Sequence, residues 1–176
     1  MIEQIIAEYF GTGLGLAAAG AMLAVLFGCV GSAMGIRIAG TQAAGVLAEK
    51  PELFGKLLVL MALPGTQGFY GFICAIFIAA QTGLLAGEVT VTPVSGFGLL
   101  FVGIGMGIAN WRGSIYQGRA AAASINLVSR RPEEAGRSIL IPALVETYSV
   151  VALLSAILFI MWLTADGMTV ANVFNG

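Results

Sequence analysis

A chain of 176 residues that is 59% hydrophobic, only 10% charged and devoid of histidine lies outside the composition range of soluble globular domains. Its mean hydropathy of +0.97 makes it an integral membrane protein. The net charge of −1 leaves no basic excess for a nucleic-acid partner.

Charge-free runs predict four membrane helices in chain order: Tyr9 to Ile36, Leu57 to Gly87, Val89 to Trp111, and Thr147 to Ala165, the last reaching back to Ser138 if Glu146 is admitted. Each approaches or exceeds the ~20 apolar residues needed to cross a ~30 Å hydrocarbon layer. The start, MIEQIIAEYF, carries Glu3 and Glu8 where a secretory signal would carry positive charge, so it is expected to stay in the protein. Lys50, Lys56, Arg130, Arg131 and Arg137 flank the two polar breaks AEKPELFGK and SRRPEEAGR. The N-terminal stretch, the GEVTVTP linker and the tail from Asp166 hold no lysine or arginine, so the positive-inside rule expects the breaks in the cytoplasm and both termini outside.

The two breaks resemble each other. KPELFGK (50–56) and RPEEAGR (131–137) share proline, glutamate, glycine and basic ends at an offset of 81 residues, and at that offset Ala62, Leu63 and Thr66 meet Ala143, Leu144 and Thr147. At an offset of 82, Gly31, Ser32 and Arg37 meet Gly113, Ser114 and Arg119. The chain therefore reads as two tandem helical hairpins, 1–88 and 89–176, an all-α membrane repeat. Opposite Glu146 the first copy has Gly65, leaving one carboxylate per four helices. The first helix of each hairpin is rich in small residues: Gly31, Gly35 and Ala39 in one, Gly103 and Gly107 in the other. That spacing lets membrane helices approach closely, either within one bundle or on the crowded inside of a ring.

Glu146, in ALVETYSVV, is the feature that needs a function, because a charge at the bilayer centre costs roughly 2.5 to 3.5 kcal/mol on insertion scales. Counting from the basic breaks at about 1.5 Å per residue, Glu146, Gln117 and Gln67 all fall at roughly 20 Å depth. In LPGTQGFY (63–70), Leu63, Thr66 or Gln67, and Tyr70 follow helical spacing along one face. Pro64 and Gly65 loosen the backbone there, which frees a carbonyl such as that of Leu63. A carboxylate with neutral oxygens around it suits a hard cation such as Na⁺; the same cluster also suits a protonated Glu146, or a polar network that only ties helices together. Cys29 and Cys74 both lie inside predicted spans, which argues against a disulfide; without histidine they make no metal site and are read as space-filling. No GxxxxGK[ST] occurs, so ATP chemistry would belong to partners.

From about Gly13 to Leu163, and most specifically in LPGTQGFYGF, SIYQGRAAAA and LVETYSVV, the sequence resembles the rotor-ring proteolipids of V-type ATPases, known as K or c subunits. The resemblance implies a four-helix subunit, non-catalytic by itself, in a homo-oligomeric ring that turns against a static, arginine-bearing membrane subunit and attaches to central-stalk subunits. It also implies ion transport coupled to ATP hydrolysis or synthesis, in the plasma or inner membrane. By resemblance Glu146 matches the ion-carrying carboxylate, Gln117 and Gln67 amide ligands, Thr66 a hydroxyl ligand, Leu63 a carbonyl ligand and Tyr70 the phenol that locks the carboxylate. That set is similar to the Na⁺-coupled members, with H⁺ as the alternative cargo. Arg112 departs from the expected apolar pattern. A small secondary transporter or multidrug exporter would also use an intramembrane glutamate, but it needs a roomier, aromatic-lined pocket; a purely structural scaffold leaves Glu146 unexplained.

Overall fold

The computed structural model describes residues 1–3, 6, 12–87 and 91–165. Glu8, residues 88–90 of the GEVTVTP linker and the tail from Asp166, on which part of the expected topology rests, lie outside the described residues. Among the described residues, four helical segments are long and apolar enough to cross a membrane: a first helix Leu14–Glu49, a second Pro51–Gln81, a third Pro93–Arg130 and a fourth Pro132–Leu163. Two of these run well past the expected ends. The first continues through Arg37 and the third through Arg112 and Arg119, all three on exposed helix faces. A charge-free run therefore undercounts a helix whose arginines point away from its own bundle.

The first and third helices run parallel in close contact, and glycine is the reason. A Cβ on Gly103 would overlap the Gly20 carbonyl, one on Gly31 would stand 2.5 Å from the Trp111 Cα, and one on Gly118 would stand 2.5 Å from the Gly35 carbonyl oxygen. The second helix approaches the first in the same manner, with Gly71 against the Ala24 carbonyl. The small-residue spacing thus acts inside the chain, drawing backbones together where apolar side chains alone give no driving force in lipid. The fourth helix packs on the third and second.

The two basic breaks are built alike. Lys50 (φ −135°, ψ 69°) and Arg131 (φ −137°, ψ 81°) each precede a proline that opens a short 3₁₀ turn, Pro51–Leu53 and Pro132–Glu134. The residue before proline is pushed out of the helical region, which ends the preceding helix. Lys50 then donates to the Ser129 carbonyl at 2.6 Å and Lys56 to the Pro132 carbonyl at 3.2 Å, tying one break to the other.

The interior has two apolar clusters with a polar layer between them. Toward the basic breaks lie Ala39, Ala43, Leu57, Leu60, Ala121, Ile125 and Val128. Toward the opposite end lie Ala17, Ala24, Cys74, Ile78, Leu99, Met106 and Ile160. Cys74 fills space as expected, whereas Cys29 is exposed and does not fill the interior, because it falls on the outward face of the first helix.

Candidate ion site

Pro64 lies in a break of the second helix and Pro142 lies within the fourth, just past a turn at Ile139, and in both cases serines of neighbouring helices take up the backbone groups left over. The second helix changes from α to a 3₁₀ turn at Leu63–Gly65 and resumes at Thr66. Ser114 donates to the Pro64 carbonyl at 2.5 Å. Ser32 donates to the Gly65 carbonyl at 3.1 Å and accepts from the Gly68 N–H at 2.8 Å. In the fourth helix, Pro142 has no N–H for the carbonyl four residues earlier, that of Ser138, and this carbonyl accepts from Ser124 at 2.8 Å. These serines explain how a proline break survives at membrane depth, where an unsatisfied backbone group is costly.

The break aims the side chains that follow it. Tyr70 Oη donates to Glu146 Oε1 at 2.6 Å, and Gln117 Nε2 donates to Glu146 Oε2 at 3.3 Å. Gln67 Nε2 donates to Gln117 Oε1. Thr66 Oγ1 lies 3.4 Å from Gln67 Oε1 and donates to the Leu63 carbonyl at 3.1 Å. All six residues singled out in the sequence thus form one connected cluster from three helices. Gln67 and Gln117 are fully buried, and Glu146, Thr66, Tyr70 and Leu63 are half-buried. The cluster offers a carboxylate, two amide oxygens, a hydroxyl and a backbone carbonyl, and it has no second carboxylate or basic group within it.

Arg112 does not join it. Its guanidinium sits 5.3 Å from the Tyr116 ring centroid and donates to the Tyr116 hydroxyl at 2.8 Å, on the exposed face of the third helix. Among the described residues no group of three histidine, cysteine, aspartate or glutamate side chains forms a metal centre, which leaves neutral oxygens around one carboxylate as the chemistry available. In the sequence Ser32 and Ser114 stand out only as repeat positions, and their hold on the break is not apparent there. Ser114 lies one turn from Gln117, and that spacing is the signal that could have found it.

Residues 19–78 and 96–159, each taking in most of one helix pair, match the family model for the C subunit of ATP synthase. The chain is 34% identical over 138 residues to the V-type sodium ATPase subunit K of Enterococcus hirae, covering 78% of this chain and 85% of that protein. It is 38% identical over 146 residues to the A-type ATP synthase subunit K of Methanocaldococcus jannaschii, covering 83% of this chain and 62% of that protein. A shorter stretch of 91 residues is 35% identical to the c' subunit of the V-type proton ATPase of Candida glabrata, over 52% of this chain and 54% of that protein. Four spanning helices, a buried oxygen cluster on one carboxylate and these matches place the chain in the family of ATP synthase C subunits, as a rotor proteolipid of the V/A type.

Proposed function

We propose that this proteolipid carries Na⁺ on Glu146 while the ring turns, with Gln117, Gln67, Thr66 and the Leu63 carbonyl as further oxygen ligands and Tyr70 holding the carboxylate. The observation that carries the reading is the connected set of hydrogen bonds from Tyr70 through Glu146, Gln117 and Gln67 to Thr66 and Leu63. Those oxygens already converge, and Na⁺ entering among them would turn the amide and hydroxyl oxygens from one another to the cation. Hard cations take oxygen ligands of this kind. The sodium named in the Enterococcus hirae relative supports the same cargo.

Ion binding neutralises the carboxylate, which lets the site pass through lipid at a cost that a bare anion would not meet. Release then leaves Glu146 ionised, to be met by an arginine of a static membrane subunit; that partner and the central-stalk subunits follow from the resemblance. The reading places the basic breaks in the cytoplasm and both termini outside, in a plasma or inner membrane. It treats 1–88 and 89–176 as tandem copies, supported by the matching dihedrals at Lys50 and Arg131. The proteolipid itself performs no catalysis.

Carbodiimide labelling of Glu146 at fixed pH tests the cargo. Millimolar NaCl is expected to protect the carboxylate; labelling that is indifferent to Na⁺ at every concentration would leave H⁺, the ion named in the fungal relative, as the carrier.

A further inference from the structure

Four buried side-chain atoms make no hydrogen bond to any described residue: Asn110 Oδ1, Asn110 Nδ2, Ser149 Oγ and Trp111 Nε1. Trp111 turns toward the first helix, its ring stacked on Phe27 at 5.9 Å. The other three atoms belong to Asn110 on the third helix and Ser149 on the fourth. Asn110 is 0% exposed and Ser149 2%.

On the third helix Asn110, Ser114 and Gln117 follow i, i+4, i+7 spacing and share a face. On the fourth, Ser149 lies three residues past Glu146, one turn farther from the basic breaks. Ser149 Oγ stands 2.6 Å from the point a Cβ on Gly113 would occupy, so it rests against the third helix between the levels of Asn110 and Gln117. Gly113 is about 4.5 Å along the helix axis from Asn110. The rung formed by Gln117 and Glu146 therefore has a second polar rung beside it, Asn110 with Ser149, on the side away from the basic breaks. Beyond it the interior becomes apolar, with Met106, Ala156 and Cys74.

A carboxamide with both ends idle offers two donors and an acceptor oxygen, and a hydroxyl offers one donor and two acceptor lone pairs. Buried polar groups in folded proteins are paired with protein or with ordered water. A buried water takes two to four polar partners, which these two residues supply between them. Neither residue brings charge, so the rung is suited to water and not to a second cation.

We propose that Asn110 and Ser149 hold a buried water next to the Glu146 cluster and that this water hydrates the ion site. The hydrating role rests on the reading of Glu146 as the carrier; the water site does not. Each Glu146 oxygen accepts one protein hydrogen bond and keeps a further lone pair that a water lying between the two rungs can meet.

Electron cryo-microscopy of the intact wild-type ring, at a resolution that shows ordered water, is expected to place density about 2.7–3.2 Å from Asn110 and from Ser149. A map in which the two side chains bond directly to each other or to other protein groups, with no density between them, overturns the water site. In assembled rings, Ser149→Ala and Asn110→Leu are each expected to raise the Na⁺ concentration that half-protects Glu146 from carbodiimide about tenfold, and the double variant no further, because the two residues share one water. Unchanged half-protection in both single variants overturns the hydrating role. If Asn110→Leu fails to assemble, Ser149→Ala and the wild-type map decide. Should Na⁺ give no protection in the wild type, the cargo reading fails while the density still decides the water site.

Discussion

Tyr70 on the second helix gives its hydroxyl hydrogen to Glu146 on the fourth at 2.6 Å, joining two helices that are parallel in space and 76 residues apart in sequence. A hydrogen bond to a charged group contributes about 1.5 to 3 kcal/mol. Tyr70→Phe should leave the ring assembled and raise the Na⁺ concentration needed to protect Glu146 from carbodiimide by about tenfold or more. An unchanged midpoint would remove the tyrosine from the site.

Replacing Glu146 by glutamine keeps the side-chain shape and removes the charge that a cation would balance. Glu146→Gln should abolish ion transport by the assembled complex while the ring runs at its normal size on a native gel. Normal pumping by this variant would sink the proposed role of the carboxylate.

Ser32 satisfies a donor and an acceptor at the proline break, Gly68 N–H and the Gly65 carbonyl, whereas Ser114 satisfies one acceptor, the Pro64 carbonyl. Each buried group left unpaired costs about 1 to 3 kcal/mol. Both Ser32→Ala and Ser114→Ala should lower the thermal stability of the detergent-solubilised ring, Ser32→Ala more. Equal stability of both variants and the wild type would contradict this account of the break.

Gly103 lies on the Gly20 carbonyl, while Gly136, beside the second basic break, has nothing within 4 Å of an added Cβ. Gly103→Ala must push the first and third helices apart and should sharply reduce the yield of folded protein in the membrane. Gly136→Ala should match the wild type, within about 0.5 kcal/mol as usual for such surface sites.

Arg112 is exposed and engaged with Tyr116, away from Glu146. Arg112→Leu should therefore leave the Na⁺ dependence of Glu146 labelling unchanged. A shift in that dependence would show that the arginine's charge reaches the ion site.

The membrane class, the four helices and the common depth of Glu146, Gln117 and Gln67 were legible in the chain, because hydropathy and depth counted from the basic breaks are one-dimensional quantities, whereas the full set of six came with the family resemblance. Gln67, Gln117 and Glu146 could be brought to one level by counting about 1.5 Å per residue. Helix ends were less legible: Arg37, Arg112 and Arg119 interrupt a hydropathy run without interrupting a helix, and only their position on the exposed face shows why.

Composition and length alone gave four helices long and apolar enough to cross a membrane and singled out Glu146 as the carboxylate that needs an explanation, since the cost of burying charge and backbone polarity in lipid depends on composition and length. The tertiary structure decided which neutral groups meet that carboxylate, and that serines from neighbouring helices mend the proline breaks. It also decided that Asn110 and Ser149 end up buried without protein partners among the described residues. Those outcomes depend on helix rotation and on the close approach that glycine permits, and both are set by packing among helices far apart in the chain.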